Sequence, residues 1–162
     1  MLATLTTLVR RTRQHHAIEH ATIHALTARL PGQRFSGLSD PAGFTIFGDV
    51  DELTLRRAVG DALLRLQAGE ARLAIHPNCG TNLATTGLFV TLAALIGTAG
   101  RRALFDKFAL TLLLTLPAIL ASRPAGMQLQ NYTTLAEVGD RWLAEIQPAQ
   151  VGNVTVHRVV FD

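Results

Sequence analysis

His16, Glu19 and His20 stand in the order His-x-x-Glu-His, inside a ten-residue stretch that holds four of the six histidines: His15, His16, His20 and His24. On a helix, side chains three and four residues apart share a face. His16 and His20 are then one turn apart, His24 lies a further turn along, Glu19 shares their side, and His15 points elsewhere. Two imidazoles so placed can both reach one divalent ion. A carboxylate between them can act as general base on a water held there. This is the logic of the His-Glu-x-x-His metalloproteases, written here in the inverted order of the inverzincins.

A catalytic zinc takes three protein ligands and keeps a position for water, and the helix supplies two. The candidates for the third are His76, Cys79, His24 and, less favourably, His157. His24 drifts around the helix, whereas His76 or Cys79 would bring a second segment to the ion. Cys79 precedes an expected helix start, where backbone N–H groups and the helix dipole favour the thiolate that binds metal. Each feature alone has a plainer reading. Short patterns recur by chance, lone histidines are usually packed or solvated, and Asn78 and Gly80 suit a turn. Thr81 or Asn82 suits a helix cap, and a lone cysteine behaves as a small hydrophobe. The pairing of the histidine helix with His76-Pro77-Asn78-Cys79 is what points to a metal. His and Cys donors favour zinc, though another divalent transition metal would also suit them.

Elements must position these groups. Residues 3–29 carry Leu5, Leu8, Ile18, Ala21, Ile23 and Leu26 near a 3.6-residue period, which predicts a helix stopped by Pro31-Gly32. Arg34–Leu38 and Gly43–Phe47 read as a hairpin around Ser39-Asp40-Pro41-Ala42. Asp51 reads as the N-cap of a helix over 52–68 with a stripe of Leu53, Leu55, Ala58, Val59, Ala62, Leu63 and Leu66. A short strand is expected over Ala71–Ile75, and an extended patch over Met127–Tyr132. A helix over Thr134–Ile146 with Leu135, Val138, Trp142 and Leu143 inward, and a strand over Val154–Phe161, complete the reading.

Between these parts the charge disappears. Cys79 to Gly100 is uncharged, Arg101 and Arg102 close that run, and Phe108 to Ser122 is uncharged again between Lys107 and Arg123. A spanning helix needs about 20 apolar residues. The first run has that length; the second is shorter and contains Pro117. Hydrophobicity runs all round both segments, which favours a transmembrane or partly re-entrant hairpin over a helical hairpin buried in a soluble core. With no signal-like N-terminus, the soluble part is expected on the cytoplasmic side of the inner membrane. The loop's Arg101, Arg102 and Lys107 pull against that orientation.

The bulk numbers agree with a membrane-associated single domain. In 162 residues the apolar fraction is 48% and the charged fraction 17%, low against about 25% for soluble domains. The net charge is +3, but nine of the fifteen basic residues lie in the first 82, mixed with seven acids. No basic stripe interleaves with aromatics, so nucleic acid is excluded as a partner. Arginines near an anionic bilayer are a better use of the charge. One cysteine permits no intrachain disulfide.

At its two motifs the sequence resembles the YqhQ-like proteins, a bacterial membrane family described as metal-dependent enzymes. That family carries a His-Gly-Ala-Glu-His-Lys-Thr segment and, downstream, His-Pro-Arg-Cys-Gly-Thr-Ser before a transmembrane run. Here the segments read His16-Ala17-Ile18-Glu19-His20-Ala21-Thr22 and His76-Pro77-Asn78-Cys79-Gly80-Thr81-Asn82. Gln128-Leu129-Gln130-Asn131-Tyr132-Thr133-Thr134 resembles the family's later Leu-Gln-x-Leu-Thr-Thr segment. Ala21 replaces the family's Lys and Asn78 its Arg, so roles needing those groups do not carry over. The chain is also similar to a smaller family with the His-His-Ala-Ile-Glu-His-Ala-Thr stretch. The resemblance implies metal dependence and membrane residence.

The expected fold is α+β: a metal-motif helix, short antiparallel strands and an inserted two-helix hairpin. The parts are 1–82, 83–122 for the hairpin, and 123–162. The expected function is a membrane-associated zinc hydrolase acting on peptide bonds. His16 and His20 would hold the metal with His76 or Cys79, His24 being an alternative, and Glu19 would be the base. The other reading is an accessory protein of a larger membrane complex, with a structural metal closed by His16, His20, His76 and Cys79. Cys79 as a nucleophile is a third. Membrane lipid, a peptide substrate or a larger complex are the expected partners.

Overall fold

The computed structural model describes residues 2–152 and 154–162. The chain falls into two compact units, residues 1–76 with 133–162, and residues 77–132.

The first unit starts with α1 (Leu2–Arg29). Pro31 cannot extend it, and Gly32 takes φ 90°, a left-handed turn that glycine adopts without a Cβ clash. A hairpin follows, β1 (Ser36–Asp40) and β2 (Gly43–Phe47), turned at Asp40, whose Oδ1 accepts from the Ala42 and Gly43 N–H groups. Then comes α2 (Glu52–Gln67), capped by Asp51, which accepts from the Thr54 N–H at 2.9 Å. The last strands are β3 (Leu143–Val151) and β4 (Val154–Phe161). The sheet is antiparallel in the order β1-β2-β4-β3, with β4 set against β2 at Phe44↔Val159 and Ile46↔His157. α1 packs on α2, β1 and β2. Ala17, Ile18, Ala21 and Leu26 of α1, Leu55, Ala58 and Val59 of α2, and Phe44, Ile46, Val159 and Phe161 of the sheet form the core. Burying each large side chain contributes about 1.5–3 kcal/mol before ordering costs.

The first helix, the hairpin, the capped second helix and the final strand match the sequence reading, and the α+β class holds. Three local expectations do not. Ala71–Ala74 is a 3₁₀ turn rather than a strand; its tight winding puts the consecutive Leu73 and Ala74 both inward. Met127–Tyr132 is helical, because α4 continues through Pro124 and Gly126, where the close approach of Asn82 requires a glycine, and Gln130 gains a buried partner. No helix spans 134–146. Gly139-Asp140 interrupts it, and Leu143 opens β3 instead. Val138 is buried as expected, but Trp142 is 64% exposed. Leu53 is also exposed, since it lies two residues, some 200° of turn, from the buried Leu55.

The second unit is a pair of helices, α3 (Gly80–Thr98) and α4 (Leu104–Thr133). They meet through small and polar residues in one constant antiparallel register. A Cβ on Gly126 would meet Asn82 Cα at 2.9 Å, the Thr86 and Ser122 hydroxyls bond at 2.8 Å, and a Cβ on Gly97 would meet Thr111 Cα at 2.6 Å. Gln130 donates from Nε2 to Asn82 Oδ1 at 3.0 Å, and Asn82 donates from Nδ2 to the Pro77 carbonyl. The apolar side chains face outward instead. Leu83, Leu88, Leu95, Ile96, Phe105, Phe108, Leu113 and Leu120 are all more than half exposed. Core helices of a soluble domain would bury them. Both helices are long and apolar enough to cross a membrane. At about 1.5 Å per residue they run about 28 and 45 Å, against a hydrocarbon core of about 30 Å.

Candidate metal centre

The histidines of α1 sit where the rest of the first unit reaches them with backbone carbonyls. His20, almost fully buried, places Nδ1 2.6 Å from the Ala74 carbonyl at the end of the 3₁₀ turn. His16 Nδ1 lies 3.1 Å from the Thr133 carbonyl. A carbonyl can only accept, so Nδ1 carries the proton in both rings and a neutral ring keeps its lone pair on Nε2. Metal-binding histidines are held in this way, the ring N–H on an outer acceptor and the other nitrogen presented. The two rings are 4.3 Å apart between centroids, edge to face, and a ligand nitrogen of one lies within 4.8 Å of one of the other.

His24 and His76 extend the cluster. His24 Nε2 lies 3.0 Å from the Ile75 carbonyl, so its proton sits on the opposite nitrogen from that in His16 and His20. The His76 ring lies 4.8 Å from His24 and 5.7 Å from His20. Burial, then the neighbouring His24 and His20, push its pKa down to about 4 from 6.5. His76 is therefore neutral, and able to bind a cation, throughout the physiological range.

His15 points away, as expected. It places Nδ1 2.8 Å from the Asp40 carbonyl and stacks on Phe161, and burial lowers its pKa. His157 is on β4, opposite Ile46 and Pro148. Glu19 is buried and reaches β1. Ser39 Oγ donates to its Oε2, and a Cβ on Gly37 would come within 2.5 Å of its Cδ and Oε1. Only glycine leaves room for that carboxylate.

Cys79 belongs to the second unit. It is buried and caps α3, its Sγ accepting from the Thr81 N–H at 3.4 Å. Two residues, Pro77 and Asn78, lie between it and His76, so three Cα–Cα steps tether its Cα within about 11 Å of that residue's.

The family model described as Domain of unknown function (DUF6391) matches residues 11–146. The chain belongs to the DUF6391 family. It is also 40% identical over 150 residues to an uncharacterized protein of Picosynechococcus sp. (strain PCC 7002), covering 83% of this chain and 71% of that one. No solved structure matches. The family found is thus DUF6391, in keeping with the expected likeness to an uncharacterised family; no YqhQ-like family is shown. The DUF6391 span includes both the histidine stretch and the His76–Asn82 segment.

Sequence reasoning did not foresee the carbonyls of Ala74, Ile75 and Thr133 in this DUF6391 chain. Backbone acceptors have no side-chain signature. It also missed Ser39 and Gly37 beside Glu19, whose signal is only a small residue at alternate positions of one strand.

Proposed function

We propose that this DUF6391 chain is a membrane-anchored metal-binding protein and works as a zinc-dependent hydrolase on peptide bonds. The observation that carries the reading is the matched pair His16 and His20. Both place Nδ1–H on a backbone carbonyl, one helical turn apart, which fixes the tautomer whose lone pair is on Nε2. Cys79 supplies the third donor as thiolate, with His76 as the alternative. The likeness to the YqhQ-like proteins at the same two segments supports that choice. A divalent ion held there would supply Lewis acidity. Glu19 takes the proton of the attacking water, with its second oxygen steadied by Ser39. α3 and α4 anchor the chain in the inner membrane, with the first unit on the cytoplasmic face.

A second reading rests on the number of donors. His16, His20, His76 and Cys79 would make a closed four-ligand site, and closed sites are structural. The protein would then be an accessory of a larger membrane complex. One experiment separates the two. Metal content by elemental analysis and coordination by X-ray absorption are measured on detergent-purified wild type, His20→Ala, His76→Ala, Cys79→Ser and Glu19→Gln. Near-stoichiometric zinc with three protein donors, lost in His20→Ala and Cys79→Ser, supports the hydrolase. Glu19→Gln should then keep the metal and lose turnover of a fluorogenic peptide library. Four protein donors and no turnover in wild type would favour the accessory role. No metal in any preparation would refute both.

A further inference from the structure

The second unit carries a cleft of about 530 Å³ between the start of α3 and the later part of α4. Its lining is divided in character. Leu83, Ile119 and Leu120 make an apolar wall, all three with substantial exposure. Cys79, Ser122 and Arg123 lie along the polar part. The hydroxyls of Thr86 and Ser122 are already bonded to each other, so they offer no charge. Arg123 does. Among the described residues it is the only cation lining the cleft, it is exposed, and it takes part in none of their ion pairs. It also stands where the uncharged run of α4 ends, the level at which a spanning helix meets the headgroups.

We infer that this cleft binds one acidic phospholipid, with the phosphate on Arg123 and an acyl chain along Leu83, Ile119 and Leu120. The inference rests on the reading of α3 and α4 as membrane-spanning. The chemistry selects this occupant over simpler ones. A free phosphate would satisfy the guanidinium and leave the apolar wall bare. An apolar helix from a partner would cover the wall and leave the cation without a counter-charge. A zwitterionic lipid brings its own ammonium beside the arginine. Basic pockets between spanning helices recognise acidic headgroups on these grounds.

The test is native mass spectrometry of the full chain, released from detergent in an equimolar mixture of phosphatidylglycerol and phosphatidylcholine. Wild type should carry phosphatidylglycerol in clear preference. Arg123→Gln should reduce that preference about fivefold, the worth of one basic residue against an acidic lipid. Arg101→Gln, at the far end of the hairpin, should leave it unchanged. Ile119→Trp, which fills the wall side, should reduce the occupancy of both lipids. Millimolar inorganic phosphate should not displace the lipid. Equal binding of the two lipids by wild type would overturn the site. Equal losses in Arg123→Gln and Arg101→Gln would also overturn it, as would displacement by phosphate alone. Membrane fractionation of the same variants reads the spanning assignment separately. A chain found in the aqueous fraction would fail there, whatever its lipid preference.

Discussion

Replacing Gly97 with alanine puts a methyl group where the two long helices already touch. The added Cβ would lie 2.6 Å from Thr111 Cα, 2.8 Å from Thr111 N and 2.3 Å from Thr111 Oγ1. The hydroxyl can rotate away, but the backbone atoms cannot. Carbon atoms in ordinary contact sit about 3.5–4.0 Å apart, so α3 and α4 must part by about 1 Å at that level. Overpacking of this kind costs about 1–3 kcal/mol. Gly87 on the same helix is the matched control, because a Cβ there meets nothing within 4 Å. Alanine at Gly87 removes only a helix-weakening glycine, worth about 0.5–1 kcal/mol in the stabilising direction. Gly97 lies in the same helix, so that gain is common to both variants, and they should differ by the overpacking cost of about 1–3 kcal/mol. For a chain of this length each kcal/mol moves the melting temperature by about 2–4 °C. Thermal unfolding in detergent, followed by circular dichroism and by thiol labelling of Cys79, the sole cysteine, reads the difference. Gly97→Ala should open earlier and Gly87→Ala no earlier than wild type. Equal melting temperatures would refute the close register of the hairpin.

Metal removal should destabilise the chain. A metal at a hundred times its Kd adds about 2.7 kcal/mol, so a chelator should lower the wild-type melting temperature by about 5–11 °C and leave His20→Ala unmoved. Gly37→Ala should push the Glu19 carboxylate off Ser39; peptide hydrolysis should fall while zinc content, measured in parallel, stays. The metal-free chain should lose stability on acidification. Folded His76 resists protonation until about pH 4, whereas the unfolded residue accepts a proton near 6.5, so protons favour the unfolded state across that window. Melting temperatures recorded from pH 7 to 4 should fall less steeply in His76→Gln than in wild type.

Much of this was legible in the residues because the signals are local. Periodicity gave α1, Asp51 gave the start of α2, and the Ser39–Ala42 turn gave the hairpin. Two uncharged runs gave α3 and most of α4. The histidine face followed from helical spacing alone, and the His76 ring lies near those of His20 and His24. What the sequence hid was decided by tertiary partners. Gln128-Leu129-Gln130 could be strand or helix until Asn82 offered Gln130 a buried acceptor. Thr134–Ile146 has helical spacing on paper, yet β4 presents an edge and Leu143–Val151 pairs with it. Glu19 looked like a group turned only toward the histidines. Its bond to Ser39 depends on β1 lying under α1, which no spacing within α1 can reveal.

The strand order has a consequence for synthesis of the chain. β4 lies between β2 and β3, but it is translated only after both long helices. Until then β2 has one unpaired edge, and Phe44 and Ile46, fully buried in the finished protein, lack Val159 and Phe161 as cover. An unpaired apolar edge is prone to join another chain. The ribosome therefore delivers α3 and α4 while the first unit is still unfinished. Any delay between their emergence and that of residues 133–162 lengthens the interval in which nascent chains can aggregate.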